Sequence, residues 1–312
     1  LKKNDKIIMP SMTFIASYNI AKLLGAKIFL ADVDKYTGQM TPKDVLQCCK
    51  KFNLKKIKAI VVMYNGGYPE NAQNFTKLKK KLSCLIIEDA CHALGAQYNS
   101  NKKNYKVGSC NNADISTFSL HPLKTITTGE GGIVTTNIKK IDEKIKKFRS
   151  LGISRDKRNH WKYDVLYTGF NFRLNDFQCA LGISQLKKIK LFLSYRKKIA
   201  LKYDKELKKI NEISLPTYTK ENTPAYHLYL LNIKNFNNKK KDLFINYMKN
   251  KNIILQYHYI PIYKFKIFSD KYIGENTEKY YKETISLPIY YGLKNGEQNY
   301  IINSIKLFFK KK

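Results

Sequence analysis

Short apolar runs alternate with amphipathic stretches along the first two-thirds of the chain. The strand-like runs are mostly rich in Val, Ile and Leu, and they lie at Ala26–Ala31, Lys58–Met63, Cys84–Ile87, Ile115–Phe118 and Ile133–Thr136. Between them, apolar residues recur three or four positions apart, which predicts helices at Ile15–Leu24, Pro42–Phe52, Ala72–Leu82 and Ile141–Phe148. This alternation predicts an α/β domain around a mostly parallel sheet, with Thr41 as the cap of its second helix.

The pattern changes towards the C-terminus, which predicts a second domain. Leu174–Leu207 has the periodicity of a long helical stretch, straight or bent, that leaves the first domain. After Pro216, a small α+β domain is indicated by a basic terminal helix from Glu297 and by short apolar runs at Tyr226–Asn232, Ile253–Tyr259 and Ile285–Leu287. We therefore predict a large domain over residues 1–200 and a small one over residues 201–312.

The chain opens with Leu-Lys-Lys-Asn-Asp and an immediate strand-like run at Lys6–Met9, so we expect a piece whose natural N-terminal segment is missing. It has no basic stretch followed by an apolar run and a cleavage site. The longest apolar runs, such as Ile57–Met63, fall short of the roughly 20 residues that span a bilayer. The sequence therefore predicts a cytoplasmic protein without a membrane span.

The composition narrows the classes of partner. The net charge of +34 would attract nucleic acid. The lysines are scattered over the polar faces of probable helices, however, and their abundance together with Asn, Ile and Tyr is typical of an AT-rich genome. We expect no nucleic-acid partner, although an anionic nucleotide substrate would benefit from the field. The six cysteines form no CxxC pair, so we predict free, mostly buried thiols and no metal site.

Candidate chemistry begins where the strand at Cys84–Ile87 runs into Glu88-Asp89-Ala90-Cys91-His92. Ligands of α/β sheets bind just beyond the carboxyl ends of strands. Asp89 could there hold a positive heteroaromatic nitrogen, and His92 could contact the same ligand. The alternative for a strand-end Asp is a helix cap.

Lys124 follows the next strand and precedes a run of Thr and Gly, TITTGEGG. Lysine is the side chain that forms a Schiff base with an aldehyde cofactor, provided that burial or a neighbouring cation keeps it partly neutral. Further on, Asn171 and Arg173 precede the long helical stretch, where they could bind a phosphate or serve as a cap and interdomain salt bridge. Each feature taken alone leaves the structural alternative open.

In this order and spacing, the stretches resemble the sugar aminotransferases of the DegT/DnrJ/StrS family over essentially the whole chain. The resemblance is carried by PSMTF, IEDACHALGA, FSLHPLKTITTGEGG, GFNFRLNDFQCALGISQL and HYIPIY. RSLGISRD, HLY and QYHYIPIY are most similar to the pseudaminic-acid branch, which aminates a UDP-linked 4-keto-6-deoxy-N-acetylhexosamine with glutamate. The resemblance implies an aspartate-aminotransferase-like fold (fold type I) and pyridoxal 5'-phosphate as the cofactor.

The resemblance also implies residue roles. For catalysis, it implies that Lys124 reacts with the cofactor aldehyde, that Asp89 pairs with the pyridinium nitrogen and that His92 lies near the phenolic oxygen. For cofactor binding, these three would be joined by Phe14 on the ring face, Ser119 on the phosphate and Asn171 on the phosphate of a neighbouring subunit. A homodimer with shared active sites follows from the role of Asn171. The substrate would be contacted by Gln256, Tyr257, His258 and Tyr259.

Family members carry, before the segment that starts here, a helical region and a Ser/Thr loop that binds the cofactor phosphate, so the function implied belongs to the complete gene product.

Four alternatives stay open. Relatives that dehydrate sugars carry His in place of Lys124, so the lysine favours transamination. The second alternative is a non-catalytic family member, and the third is a related nucleotide-sugar 4-aminotransferase of the perosamine, bacillosamine/legionaminic or aminoarabinose type. The fourth is a basic nucleic-acid binder.

Overall fold

A computed structural model describes residues 1–156, 158–159 and 161–310. The N-terminal half contains β1 (Lys6–Pro10), α1 (Ile15–Leu23), β2 (Lys27–Ala31), α2 (Pro42–Lys51), β3 (Ala59–Met63), α3 (Ala72–Leu82), β4 (Leu85–Asp89), β5 (Gln97–Ser100), β6 (Lys103–Lys106), β7 (Ile115–Ser119), β8 (Gly132–Thr135) and α4 (Lys139–Phe148). The remainder contains β9 (Ile153–Arg155), β10 (Tyr163–Val165), α5 (Asp176–Lys187), α6 (Ile189–Leu207), β11 (Ile213–Ser214), β12 (Tyr229–Ile233), α7 (Asn238–Lys249), α8 (Glu275–Glu283), β13 (Thr284–Leu287) and α9 (Asn295–Lys310).

A six-stranded sheet organises the larger part of the molecule, in the order β2-β1-β3-β4-β7-β8. The first five strands pair in parallel, and β8 is antiparallel to β7 at the edge. Side chains that alternate along β1 pack into different cores, with Ile8 on one face and Ile7 and Met9 on the other. Both faces are therefore covered, as parallel sheets require, and the predicted mostly parallel α/β architecture is confirmed.

The N-terminus of α2 shows how the local sequence fixes an element. The side-chain oxygen of Thr41 accepts the backbone N–H of Asp44, and the Asp44 carboxylate accepts the backbone N–H of Thr41. Pro42 occupies the first turn, where a missing N–H costs nothing. The predicted cap at Thr41 is confirmed as part of a reciprocal capping box.

A second apolar core lies among α6, α7, α9 and the small antiparallel sheet β11-β12-β13. Helix α6 crosses the predicted boundary near residue 200: Phe192 packs with Leu120 and Ile126, whereas Ile199 and Tyr203 belong to the second core. The division into residues 1–200 and 201–312 stays a prediction, and its last two residues lie outside the described chain.

Two sequence stretches differ from their simplest interpretation. The helical stretch Leu174–Leu207 is two helices, because α5 ends at Lys187 and α6 begins at Ile189, with Lys188 as the cap between them. The run Ile253–Tyr259 is bridged to β13 only through Gln256 and Ser286. The side chains that follow turn to other partners, since His258 bonds the hydroxyl of Ser286 and Tyr259 bonds His92.

None of the helices within the described residues has the length and apolar character needed to cross a membrane. All six cysteines are free thiols, as predicted, although Cys179 is exposed and Cys49 and Cys91 are only partly buried.

Candidate active site

The carboxyl ends of two adjacent strands bring the strand-end residues together. Asp89 is the last residue of β4 and Ser119 the last residue of β7, and these strands pair in parallel. The Asp89 carboxylate is fixed by the backbone N–H of Cys91, which donates to it over 3.1 Å. Lys124 lies beyond β7, in a turn where its own N–H donates to the carbonyl of His121. The sheet thus places an amine and a carboxylate at one edge.

The environment of Lys124 makes its neutral form more accessible than that of an exposed lysine. Burial lowers the pKa of the Lys124 ammonium, and the negative potential of Cys91 and Asp89 only partly offsets this. Desolvation acts against the charged form of an amine, so a larger share of Lys124 is unprotonated than of an exposed lysine. Such an amine can act as a nucleophile or take up a proton.

His92 is buried and held at both ring nitrogens. The backbone N–H of Gly66 donates to Nδ1 over 3.3 Å, and Nε2 lies 2.8 Å from the Tyr259 hydroxyl oxygen. Burial, together with His227, Lys124 and His258, lowers the pKa of His92 well below its ordinary value. The ring is therefore neutral, and because Nδ1 accepts, Nε2 carries the proton and donates it to Tyr259. The phenolic hydrogen of Tyr259 is left to bond a further acceptor.

The turn that supports His92 requires glycine. Gly67 has a φ of +89°, and a Cβ there would lie 2.4 Å from the carbonyl oxygen of His92. No side chain fits so close to a backbone oxygen, so Gly67 lets the β3 end approach the residues after β4.

Phe14 lies beside the same cluster. Its ring is 5.7 Å from that of Tyr259, and about half of its surface is exposed, with a relative exposure of 53%. An exposed aromatic ring next to His92 and Tyr259 offers a flat apolar surface to a bound heteroaromatic ring.

A cavity of about 960 Å³ opens at Lys124, and its walls include residues of α6 and of the segment that contains β13. Two of the four predicted substrate-binding residues, Gln256 and His258, line it. Tyr259 contacts His92 and Phe14. The structure places Tyr257 elsewhere: its hydroxyl donates to Asp242, and Lys241 lies 4.1 Å from the centre of its ring.

Ser119 and Asn171 make their own local contacts, and neither shares a hydrogen bond with the Lys124 side chain among the described residues. The Ser119 hydroxyl accepts the backbone N–H of His121 over 3.3 Å. Asn171 is exposed and its backbone is bridged to Ser150. Among the hydrogen bonds of the described residues, none joins Asn171 to Lys124, Asp89 or His92.

The sequence assigned no role to two buried residues of the cavity wall, Arg196 on α6 and His227 before β12. Within the described residues, no group of three or more His, Cys, Asp or Glu side chains is placed to hold a metal ion. The basic groups that line the cavity are two amines, two imidazoles and a guanidinium, from Lys124, Lys188, His227, His258 and Arg196, and this basic lining suits an organic, anionic ligand.

Comparison with known proteins agrees with this chemistry. The model of the DegT/DnrJ/EryC1/StrS aminotransferase family matches residues 1–306. A UDP-4-amino-4,6-dideoxy-N-acetyl-beta-L-altrosamine transaminase of Campylobacter jejuni is 39% identical over 293 residues, which are 91% of this chain and 74% of the relative. GDP-perosamine synthase of Escherichia coli O157:H7 is 32% identical over 314 residues, covering 100% of this chain and 81% of the relative.

Among solved structures, Helicobacter pylori PseC, an aminotransferase involved in the biosynthesis of pseudoaminic acid, superposes with a TM-score of 0.89 and 30% identity. The match covers 99% of this chain and 81% of that chain. A likeness of this extent includes both the six-stranded sheet and the second apolar core.

Proposed function

The chain belongs to the DegT/DnrJ/EryC1/StrS aminotransferase family, and from this premise we propose that it transfers an amino group from glutamate to a UDP-linked 4-keto-6-deoxy-N-acetylhexosamine in pseudaminic acid biosynthesis. The observation that carries the proposal is Lys124, an amine with a lowered pKa that lines a cavity of about 960 Å³ and is near enough to Asp89 for that carboxylate to act on its pKa. The transaminase names of relatives at 34–39% identity support the sugar.

The enzymes of this family use pyridoxal 5'-phosphate. When bound, this cofactor carries the amino group between the two substrates and withdraws electrons from the carbon that loses a proton. The residues of the site fit it: Lys124 supplies an amine for its aldehyde, Asp89 a carboxylate for its ring nitrogen, and His92 a neutral imidazole. We propose that Phe14 covers the ring, and that Ser119 and the Asn171 of a second copy bind the phosphate.

Lys124 has the properties of the group that moves the proton. Its lowered pKa lets the amine take a proton from the substrate carbon, and the resulting ammonium can then donate that proton to the adjoining cofactor carbon. The Asp89 carboxylate, held by the N–H of Cys91, keeps a proton on a ring nitrogen placed against it. His92 and Tyr259 form a fixed hydrogen-bonded pair that leaves one phenolic hydrogen for the reactants.

The choice of sugar is tested by a matched pair of substrates. We expect the protein with pyridoxal phosphate and glutamate to aminate the UDP-linked 4-keto-6-deoxy-N-acetylhexosamine at least about tenfold more efficiently than the GDP-linked 4-keto-6-deoxymannose, since each wrong contact costs roughly 1.4 kcal/mol or more. Initial rates, followed by chromatography of the nucleotide sugars, give both values of kcat/KM. A preference for the GDP-linked sugar would instead support a perosamine-type function, as the relative from E. coli suggests.

We further propose that the protein acts as a homodimer. Helix α5 has no buried residue, and Phe177, at 89% relative exposure, stands on it with Leu181, Ile183 and Leu186. Nearby in sequence, the exposed rings of Phe170 and Phe172 stack 4.9 Å apart. Monomers rarely expose apolar groups so densely, and a second copy would also bring its Asn171 towards the site.

Substitution on α5 tests the dimer. We expect Phe177→Lys to weaken self-association about thirtyfold or more, because a central aromatic anchor typically contributes 2 kcal/mol or more. Sedimentation velocity over a concentration series measures this. Leu243→Lys, on an equally apolar exposed position of α7, is the matched control and should leave the dimer intact. A wild-type protein that is monomeric at every concentration would contradict the proposal.

A further inference from the structure

Arg196 is a buried cation without a counter-ion. Its relative exposure is 6%, and none of the ion pairs among the described residues involves it. One nitrogen, Nη1, donates to the carbonyl oxygens of Ile289, His227 and Tyr226 at 2.8, 3.1 and 3.4 Å. Nε is buried without a partner. Burial lowers the pKa of Arg196 to about 10, so the guanidinium stays charged at neutral pH.

His227 lies next to it with a second unsatisfied group. Its Nδ1 is buried and has no hydrogen-bond partner. The residue as a whole has a relative exposure of only 7%. The ring lies 4.3 Å from that of His92, at a tilt of 34°. The hydrogen bond from Nη1 of Arg196 to the backbone carbonyl of His227 links the two residues. Both line the cavity that contains Lys124.

Physical chemistry restricts what can complete this pair. A buried charge is costly unless it is paired, and buried polar nitrogens are normally hydrogen-bonded. The carbonyl dipoles around Nη1 compensate part of the charge but leave Nε unbonded. Lys124 and Lys188 line the same cavity and add positive potential. A carboxylate or phosphate complements this site, because a guanidinium bonds either oxyanion through parallel N–H groups. Nδ1 of His227 donates to the same oxyanion in the tautomer that places the ring proton on Nδ1.

We propose that Arg196 and His227 form an oxyanion subsite in the Lys124 cavity. The inference rests on the proposed aminotransferase function, which brings two anionic reactants to this cavity: an amino acid with carboxylates and a nucleotide sugar with phosphates. Either can supply the oxyanion, and one residue that serves both would fit an enzyme whose reactants occupy the site in turn.

Calorimetric titration of the protein loaded with pyridoxal phosphate separates the two sources. The probes are 2-oxoglutarate, whose anionic groups are carboxylates, and UDP, whose anionic groups are phosphates. We expect Arg196→Met to weaken binding of at least one probe about ten- to a hundredfold, as the loss of a hydrogen bond to a charged group predicts. Arg196→Lys should restore part of the affinity. Lys197→Met, the exposed neighbour on α6, removes the same charge outside the cavity and should change neither affinity more than about twofold.

His227→Phe is the second variant, in case Arg196→Met does not fold. It removes the ring nitrogens but retains an aromatic ring and the backbone carbonyl that accepts from Arg196. It should weaken the same probe about three- to tenfold. Loss for 2-oxoglutarate assigns the subsite to the amino donor, and loss for UDP assigns it to the nucleotide. Unchanged affinity for both probes, or no binding of either by the wild-type protein, overturns the inference. Turnover by the wild-type enzyme tests the proposed function separately, so the two failures remain distinguishable.

Discussion

We expect Lys124→Ala to abolish transamination, with a loss of about 10⁴-fold or more, because the substitution removes both the amine that engages the cofactor and the proton-transfer group. The fold should be retained. The side chain of Lys124 is only partly buried, and the N–H that bonds His121 belongs to the backbone. Removal of a desolvated amine should change the free energy of unfolding by no more than about 0.5 kcal/mol. Single-turnover assays and thermal unfolding measure the two quantities.

Borohydride reduction in the presence of pyridoxal phosphate provides a direct readout of the same residue. Peptide mass spectrometry should find the label on Lys124 in the wild-type protein and no selective label in Lys124→Ala. Lys106→Ala, on an exposed position of β6, is the control and should keep both label and activity. Appreciable turnover by Lys124→Ala, or labels scattered over many of the surface lysines, would contradict the mechanism.

The strand-end residues are predictable from the sequence because the sheet topology constrains where they lie. Once β3, β4 and β7 are predicted as parallel strands, their carboxyl ends must meet at one edge, so Asp89 and the segment before Lys124 come together without further information. His92 follows Asp89 closely enough to share that edge.

The cavity wall could not be found in this way, because it depends on packing between distant segments. Arg196 is one of 58 Lys and Arg residues, yet it lies on the apolar stripe of α6, four residues after Phe192 and three before Ile199. A charge at a core position was the available signal for it. For His227 the sequence offered only a family-like HLY motif. That its Nδ1 lacks a hydrogen-bond partner depends on the surrounding packing, which includes Arg196 and His92, and only the structure shows this.

The directions of Tyr257 and Tyr259 in the substrate segment also could not be predicted from the sequence. Tyr257 and Tyr259 would face the same side of a regular strand. The segment bridges β13 only through Gln256, and beyond that point Tyr257 contacts Lys241 and Asp242 whereas Tyr259 reaches His92. Loss of ladder pairing frees the backbone to aim neighbouring side chains in different directions.

Asp89→Asn tests the charge, rather than the shape, of the strand-end residue. The amide oxygen can still accept the N–H of Cys91, so the local backbone should be preserved. A neutral amide cannot hold a proton on a ring nitrogen, and we expect kcat to fall about a hundred- to a thousandfold, the usual effect of removing one preorganised electrostatic contact. Initial-rate kinetics at saturating glutamate and sugar measure this loss.

The pH profile separates this effect from simple structural damage. The Asp89 carboxylate raises the pKa of Lys124, so its removal lowers that pKa further. Activity that requires unprotonated Lys124 rises with pH through this pKa, and the acid limb of kcat should therefore move to lower pH in Asp89→Asn. Glu88→Gln is the matched control, because Glu88 precedes Asp89 on β4 but bonds Tyr64 and Ser116 on the opposite face. Its limb should stay in place, even if its stability falls. An unmoved limb in Asp89→Asn, with kcat near the wild-type value, would show that the carboxylate neither tunes Lys124 nor serves the reaction.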